Sequence, residues 1–361
     1  MRNLKTIAGE EAKDLQLSID LELQRQAASQ IGDRAGSVIL SDITTGEILV
    51  AYSSPNLNSN LLSSGDNSYW AHINQDESIP LINRLTRGLY SPASAFKVVV
   101  ALAALEAGID PNARFYCSGE IQIGNRVFHC LKKSGHGHVN CQEAIASSCN
   151  IYVWELALRV GFDRIEQMAR KLGFGSSVGL FNDEKTGLLP TREWKKKQYQ
   201  QSWLLGDTVN FAIGQGYLLS TPLQLWRMIS LIAGRGNFVE PSLTKVGTGD
   251  IAPKPINIIS LNTKSFDAVH QGMVAGVNKP YGTSYRFSLH NPKWQVAGKT
   301  GTVQIVSKRD AGPNHAVFVG YAPAHKPRYA TSIVVEKSGY GGKVAAPIAL
   351  GLFRMLMNRN T

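Results

Sequence analysis

Three short motifs constrain this chain more than any other feature of its sequence. The motifs are Ser94-Ala95-Phe96-Lys97, Ser148-Cys149-Asn150 and Lys299-Thr300-Gly301-Thr302. Acyl transfer through a serine requires these residue types, because a hydroxyl becomes a good nucleophile only beside a base. We therefore predict a fold that brings three distant segments of the chain into one cleft.

Each motif alone is weak evidence for a catalytic site, because the chain contains a second copy of each pattern. The copies are Ser242 to Lys245, Ser54-Pro55-Asn56 and Lys185-Thr186-Gly187. Context separates the two sets. Ser94 and Lys97 stand at i and i+3 at the start of a predicted helix, where they share one face. Asn150 lies in an apolar helical stretch, and Lys299 follows Val296-Ala297 on a predicted strand.

The motif residues predict specific roles in catalysis. Ser94 is the expected nucleophile, and Lys97 is the expected base if burial and the nearby charge of Lys299 lower its pKa. Ser148 is expected to relay a proton to the leaving amine. Asn150 offers an amide donor and acceptor to the substrate backbone.

The third motif is expected to bind the substrate. Thr300 and Thr302, with Gly301 between them, are predicted to hold a substrate carboxylate. The backbone N–H groups of Thr302 and Ser94 are predicted to form an oxyanion hole.

Sequence patterns predict a mixed α/β domain. Strands are predicted at 15–22, 37–43, 47–53, 295–306, 316–322 and 329–335, and helices at 23–31, 94–107, 141–172, 221–233 and 346–358. Residues 56–80, rich in Asn, Ser and Asp, are predicted to form a surface excursion. Because strands come from both chain ends, we expect one antiparallel sheet flanked by helices, with an inserted helical subdomain.

Composition narrows the class of protein. The 361 residues are 43% hydrophobic, enough for a full core, and the formal net charge is +11. The sequence contains no run of about 18 apolar residues, so no membrane span is predicted.

The basic run Lys195-Lys196-Lys197 is interpreted as a solvated face, and no recognised nucleic-acid motif accompanies it. A nucleotide-binding P-loop is excluded, because Lys293 stands where that motif needs glycine.

Longer stretches around these motifs resemble the class B penicillin-binding proteins. They are Tyr90 to Lys97, His136-Gly137-His138-Val139, Ser148 to Asn150 and Gly298 to Thr302. Within the class, Gly187 to Pro190, Trp203, Gly206 to Asn210, Ile213 to Gly216 and Thr221 to Leu225 resemble the penicillin-binding protein 2 group of rod-shape elongation. Ala93 is a departure, because the family commonly has glycine before the nucleophile.

The resemblance implies a function and its setting. It implies a penicillin-binding transpeptidase or serine β-lactamase-like fold over residues 15–361, after a linker at 1–14. The implied activity is peptidoglycan D,D-transpeptidation through a Ser94 acyl-enzyme that β-lactams inhibit. The implied partners are stem peptides and a membrane glycosyltransferase of the elongation machinery, at the periplasmic face of the inner membrane. No catalytic cofactor is expected.

Cysteines and histidines cluster between residues 117 and 149. Cys117, Cys130, His136 and Cys149 form a Cys₃His set suited to a closed, structural zinc site. The family resemblance also implies a zinc near the second motif. A Cys117–Cys130 disulfide and plain buried thiols remain alternatives, and Cys141 or His138 could replace one of the ligands.

Two other functions share the same motifs. A β-lactamase or D,D-carboxypeptidase would use the same acyl-enzyme, but it needs a base that activates water, and the sequence identifies none. A non-catalytic sensor would keep the acylatable serine for signalling.

Overall fold

A computed structural model describes residues 14–246, 253–304 and 313–359 of the chain. Its strands are β1 (Gly36–Asp42), β2 (Ile48–Ser54), β3 (Phe115–Cys117), β4 (Glu120–Ile123), β5 (Arg126–His129), β6 (Gly137–Val139), β7 (Asn237–Phe238), β8 (Ile256–Asn257), β9 (Ala297–Val303), β10 (His315–Ala322) and β11 (Tyr329–Val335). Five of them form one antiparallel sheet in the order β2-β1-β11-β10-β9. The predicted sheet built from both chain ends is confirmed.

The helices are α1 (Leu21–Ile31), α2 (Ser59–Ser63), α3 (Asn67–Gln75), α4 (Arg84–Arg87), α5 (Lys97–Glu106), α6 (Cys141–Ser147), α7 (Asn150–Val160), α8 (Phe162–Lys171), α9 (Arg192–Tyr199), α10 (Leu205–Ala212), α11 (Pro222–Ala233), α12 (Thr263–Asn278) and α13 (Ala345–Arg359). Of these helices in the described residues, α2 to α12 lie in the long segment between β2 and β9, whereas α1 precedes β1 and α13 follows β11. This arrangement confirms the inserted helical subdomain. Within the described ranges, none of these helices is long and apolar enough to cross a membrane.

The central sheet separates two hydrophobic cores. Along β1, Val38 and Leu40 pack with α1 and α13, whereas Ile39 packs on the opposite face with the helices of the insertion. All seven residues of β1 are buried, as are those of β11. Because both faces of these strands are covered, their sequences show no regular alternation, and Ser37, Ser41, Thr331 and Ser332 are buried with the apolar residues.

Two predicted elements are wrong. Residues 15–22 form no strand, because the Asp20 carboxylate accepts hydrogen bonds from the N–H groups of Glu22 and Leu23 and starts α1 at Leu21. The alternating pattern there yields only an isolated bridge between Leu17 and Thr244. Residues 141–172 form three helices rather than one or two. The predicted linker at 1–14 falls, except for residue 14, outside the described residues.

The basic run 195–197 is only partly a solvated face. Lys196 and Lys197 are exposed, but Lys195 is 1% exposed and forms a salt bridge with Asp207. The Asp207 carboxylate also accepts the backbone N–H of Leu204 at 2.7 Å. This buried pair therefore fastens α9 to the first turn of α10.

Candidate active site

Ser94 lies in a tight turn that leads directly into α5. Residues Ala93–Phe96 form a short 3₁₀ helix, and the backbone N–H of Lys97 donates to the carbonyl of Ser94. Ser94 and Lys97 are thus one helical turn apart, as their spacing predicts. Ser94 is partly exposed, whereas Lys97 is fully buried.

Two glycines pack closely against the residues just before Ser94. The backbone N–H of Ala93 donates to the carbonyl of Gly214 at 2.9 Å, and a Cβ at Gly214 would lie 2.2 Å from the Ala93 carbonyl oxygen. On β9, a Cβ at Gly301 would lie 3.0 Å from the carbonyl oxygen of Pro92. Ala93 itself has φ 48°, a left-handed conformation that favours glycine. This conformation explains why glycine suits that position.

The Lys97 ammonium group joins the first motif to the second. Its Nζ donates to the Ser148 carbonyl at 2.7 Å, to the Ser148 hydroxyl at 3.2 Å and to Asn150 Oδ1 at 2.5 Å. Burial lowers the pKa of Lys97 to about 8, although neighbouring cysteines oppose this shift. Lys97 therefore has an appreciable neutral fraction near neutral pH.

The junction between α6 and α7 presents the second motif. Ser148 has φ 59° and ends α6, and Asn150 begins α7. The Asn150 amide already binds the protein on both sides, because Oδ1 accepts from Lys97 and Nδ2 donates to the His129 carbonyl at 3.2 Å. Asn150 therefore has less capacity to bind the substrate backbone than predicted, because its Oδ1 serves to position Lys97.

The third motif lies on β9, as predicted. Lys299 is buried, and its Nζ donates to the Thr300 carbonyl at 3.2 Å. Burial first, and the charge of Lys97 second, lower the pKa of Lys299 well below its usual range. Of the two causes predicted for the lowered Lys97 pKa, burial is the leading one, and the charge of Lys299 does not contribute.

One cleft brings the exposed members of the three motifs together. Its volume is about 410 Å³, and its lining includes Ser94, Ser148, Asn150, Thr300 and Thr302. The buried Lys97, Lys299 and Gly301 are not among the lining residues. The predicted convergence of the three segments is therefore seen in the structure.

The cleft also contains residues that the motif analysis did not assign to the site. They are Val127, Phe128, His129, Leu131, Trp154, Asn210, Ile213, Gln215, Thr283, Gln304, Asn314 and Tyr340. Asn210 and Gln215 belong to stretches that carried the family resemblance, and that was their only sequence signal. Thr283 reaches the site through a 2.9 Å hydrogen bond with the Thr300 hydroxyl.

The four predicted metal ligands lie together beside the second motif. The Sγ atoms of Cys117 and Cys130 are each 3.5 Å from His136 Nδ1, and the ligand atoms of these residues and Cys149 all lie within 4.8 Å of one another. All four cysteines of the chain are free thiols, so the alternative disulfide is not formed. The substitutes are placed elsewhere: His138 packs on Tyr116, and Cys141 interacts with Tyr152.

This cluster has the chemistry of a zinc site. Tetrahedral Zn²⁺ with Zn–S bonds of about 2.3 Å places sulfur atoms about 3.8 Å apart, which is compatible with ligand atoms that all lie within 4.8 Å of one another. A hydrogen bond from the Cys149 thiol is the leading cause that lowers the pKa of Cys130, and His136 adds to it. Cys130 Sγ also accepts the backbone N–H of Asn150 at 3.3 Å, which links the cluster to the active-site cleft.

The fold and the cleft define a serine enzyme of the penicillin-recognising class. Residues 36–354 match the family described as "Penicillin binding protein transpeptidase domain". The chain belongs to this family. It is similar to the peptidoglycan D,D-transpeptidase MrdA of Haemophilus influenzae, with 32% identity over 99% of this chain and 58% of that protein. It therefore spans less than two thirds of that relative's length.

Solved structures show the same similarity. Pseudomonas aeruginosa PBP2 in complex with WCK 5153 matches with a TM-score of 0.86 and 35% identity, over 95% of this chain and 75% of that one. PBP2 in its complex with MreC from Helicobacter pylori matches with a TM-score of 0.87 and 31% identity, over 95% and 64%. A chain from a structure described as "Structural coordination of polymerization and crosslinking by a peptidoglycan synthase complex" matches with a TM-score of 0.83 and 33% identity, over 94% and 62%.

Proposed function

We propose that this chain is the catalytic domain, at residues 15–361, of a peptidoglycan D,D-transpeptidase. The observation that carries the proposal is the buried Lys97 ammonium, which is bonded to Ser148 and Asn150 one helical turn from Ser94. The substrates are stem peptides that end in D-Ala-D-Ala. β-Lactams acylate the same serine.

The geometry supports a two-stage reaction. Neutral Lys97 accepts the Ser94 proton as Oγ attacks the carbonyl of the terminal peptide bond, and the oxyanion is held by the N–H groups of Ser94 and Thr302. The C–N bond then breaks, and the proton held by Lys97 passes through the Ser148 hydroxyl to the departing amine. In the second stage, an amine of another stem peptide attacks the acyl-enzyme and returns the proton to Ser94.

Thr300 and Thr302 bind the substrate in this scheme. The Thr300 and Thr302 hydroxyls hold the terminal carboxylate, and Gly301 lets β9 approach the turn that carries Ser94. Lys299 lies buried behind them, where a bound carboxylate would favour its charged form.

Hydrolysis is the second candidate function. A β-lactamase or carboxypeptidase needs a base that activates water, and no Asp or Glu lines the described part of the cleft. With nitrocefin we therefore expect one acylation per chain followed by slow release. Sustained turnover at a constant rate would favour a hydrolase. Transfer of the acyl group to an added D-amino acid excludes a non-catalytic sensor.

Acylation is expected to depend on pH through Lys97. Because the pKa of Lys97 is lowered to about 8, the fraction of Lys97 in the neutral form rises about tenfold per pH unit below that value. The rate of acylation by a fluorescent penicillin should rise between pH 6 and pH 8 and level off above. A rate that stays constant across this range would rule out Lys97 as the titrating base.

The setting of the enzyme is part of the proposal. We infer that the whole protein acts at the periplasmic face of the inner membrane, with a membrane glycosyltransferase as its partner. The similar chain in a complex of polymerisation and crosslinking supports such a partner. No nucleic acid is involved.

We also propose a structural Zn²⁺ held by Cys117, Cys130, His136 and Cys149. Four protein ligands would close its coordination shell, so the metal supports the fold rather than the reaction. Its place beside Asn150 means that it stabilises the junction presenting Ser148.

Elemental analysis tests the zinc proposal. We expect about one zinc per chain. The Cys130→Ser variant should lose most of the metal, whereas Cys141→Ser should keep it, since Cys141 lies outside the cluster. A ratio near zero in the native protein, purified without chelator, removes the zinc site.

A further inference from the structure

A buried ion pair lies behind the turn that carries Ser94. Arg84 is 4% exposed, and its Nε donates to Glu336 Oε1 at 2.7 Å. The Arg84 guanidinium also donates to the Ile79 carbonyl at 3.2 Å, which fixes its orientation. The Tyr90 hydroxyl donates to the same Glu336 oxygen at 2.6 Å. Burial, and next the charge of Glu336, raise the pKa of Tyr90, so this hydroxyl keeps its proton and remains a donor.

Tyr90 fixes the start of the segment that leads to the nucleophile. Its backbone N–H donates to the Ser220 carbonyl at 2.9 Å, and its carbonyl accepts the Ser220 N–H at 2.8 Å. A Cβ at Gly88 would lie 2.5 Å from the Tyr90 ring, so the ring has no free space on that side. Residues 91–93 alone separate Tyr90 from Ser94, and two of them are buried. A shift of Tyr90 is therefore transmitted to Ser94, because a close-packed segment cannot absorb it.

Glu336 also stands at the base of the loop between β11 and α13. It follows β11 directly, and its N–H donates to the Ala35 carbonyl at 2.8 Å. Further along this loop, the Gly341 N–H donates to the Thr302 hydroxyl at 3.3 Å. A Cβ at Gly341 would lie 2.2 Å from the Gly301 carbonyl oxygen, so the loop packs tightly on β9. The side chain of Glu336 thus holds the segment before the nucleophile, while its backbone leads to β9.

We propose that Glu336 is a positioning residue for the nucleophile. Its carboxylate, held by Arg84, fixes the Tyr90 hydroxyl and through it the place of Ser94 beside β9. Arg84, Tyr90 and Glu336 do not line the cleft, so they act on the reaction only through Ser94. This inference rests on the proposed function, because acylation of Ser94 reports where its hydroxyl lies. A purely structural ion pair would stabilise the folded state and leave the acylation of folded protein unchanged.

The test removes one hydroxyl group. Tyr90→Phe leaves the pair of Arg84 and Glu336 intact and deletes only the hydrogen bond of 2.6 Å. The control is Tyr321→Phe, because Tyr321 is also buried and its hydroxyl bonds to His270 Nδ1 at 2.9 Å, but it does not line the cleft. Time-resolved intact-mass spectrometry at several benzylpenicillin concentrations gives the limiting acylation rate constant and the half-saturating concentration. Urea denaturation gives the stability of each protein.

We expect Tyr90→Phe to lower the limiting rate constant about tenfold, since a displacement of about 1 Å at the reacting atoms can cost about 100-fold. The half-saturating concentration should stay nearly unchanged. Tyr321→Phe should lose stability but keep the native rate constant. A native rate constant in Tyr90→Phe, at any stability, would overturn the proposal, as would equal losses of rate in the two variants.

Two substitutions at Glu336 repeat the test without changing Tyr90. Glu336→Gln keeps an oxygen that accepts the hydroxyl, so its rate constant should stay within about threefold of the native value. Glu336→Ala removes the acceptor and should lose as much rate as Tyr90→Phe. Equal rate constants in the two Glu336 variants would contradict the positioning role, even if Tyr90→Phe does not fold. If the native chain forms no adduct, the proposed function fails and the positioning role falls with it.

Discussion

Replacing Lys97 by methionine is expected to lower the rate of Ser94 acylation by about 10²–10⁴-fold, the usual contribution of a general base. Methionine fills a similar volume but cannot donate the hydrogen bonds that Lys97 makes to Ser148 and Asn150, so a loss of about 1–3 kcal/mol of stability is expected. Acylation should fall far more than the folded fraction does. Acylation rates and the thermal midpoint are measured on the same preparation.

The matched control for this change is Lys196→Met. Lys196 is exposed on α9, away from the cleft-lining residues, so its replacement should leave acylation unchanged. If Lys97→Met acylates at the native rate, the base is another group. If it fails to fold, the hydrogen bonds of Lys97 to Ser148 and Asn150 are primarily structural.

Replacing Gly214 by alanine is expected to destabilise the protein by about 2–5 kcal/mol. The φ of 69° costs about 1–2 kcal/mol for a residue with a side chain, and the overpacked contact costs about 1–3 kcal/mol more. The new Cβ would lie 2.2 Å from the Ala93 carbonyl oxygen, so the turn that carries Ser94 must move. Urea denaturation measures the loss of stability, and acylation of the folded fraction should also slow.

Gly65→Ala separates backbone strain from the clash. Gly65 has φ 72°, nearly that of Gly214, but no atom lies within 4 Å of a Cβ built there. It should lose only the strain, about 1–2 kcal/mol, and acylate normally. Equal destabilisation by the two substitutions would mean that contact with Ala93 does not hold the nucleophile turn.

The sequence predicted the sheet and the motif residues because their signals are local. Residues 329–335 show no alternation of apolar and polar side chains and end in Ile333 to Val335, which matches a strand buried on both faces. The spacing of Ser94 and Lys97 already places them one helical turn apart. Asp20 shows the limit of such patterns: one capping side chain turned a predicted strand into the start of a helix.

Other features depend on contacts that no local pattern records. Lys195 is buried because Asp207, twelve residues further along the chain, pairs with it. Gln215 reaches the cleft because the preceding Gly214 accepts a hydrogen bond from Ala93, more than 100 residues earlier. The engagement of Asn150 by both Lys97 and His129 likewise appears only in three dimensions.

Intact-mass spectrometry after exposure to benzylpenicillin tests the role of Ser94 most directly. The native chain should gain the mass of one benzylpenicillin molecule, because ring opening adds the whole compound without loss of a fragment. The Ser94→Ala variant, folded to the same extent by circular dichroism, should gain nothing. An unchanged adduct on Ser94→Ala would place the nucleophile elsewhere and contradict the mechanism built around Ser94 and Lys97.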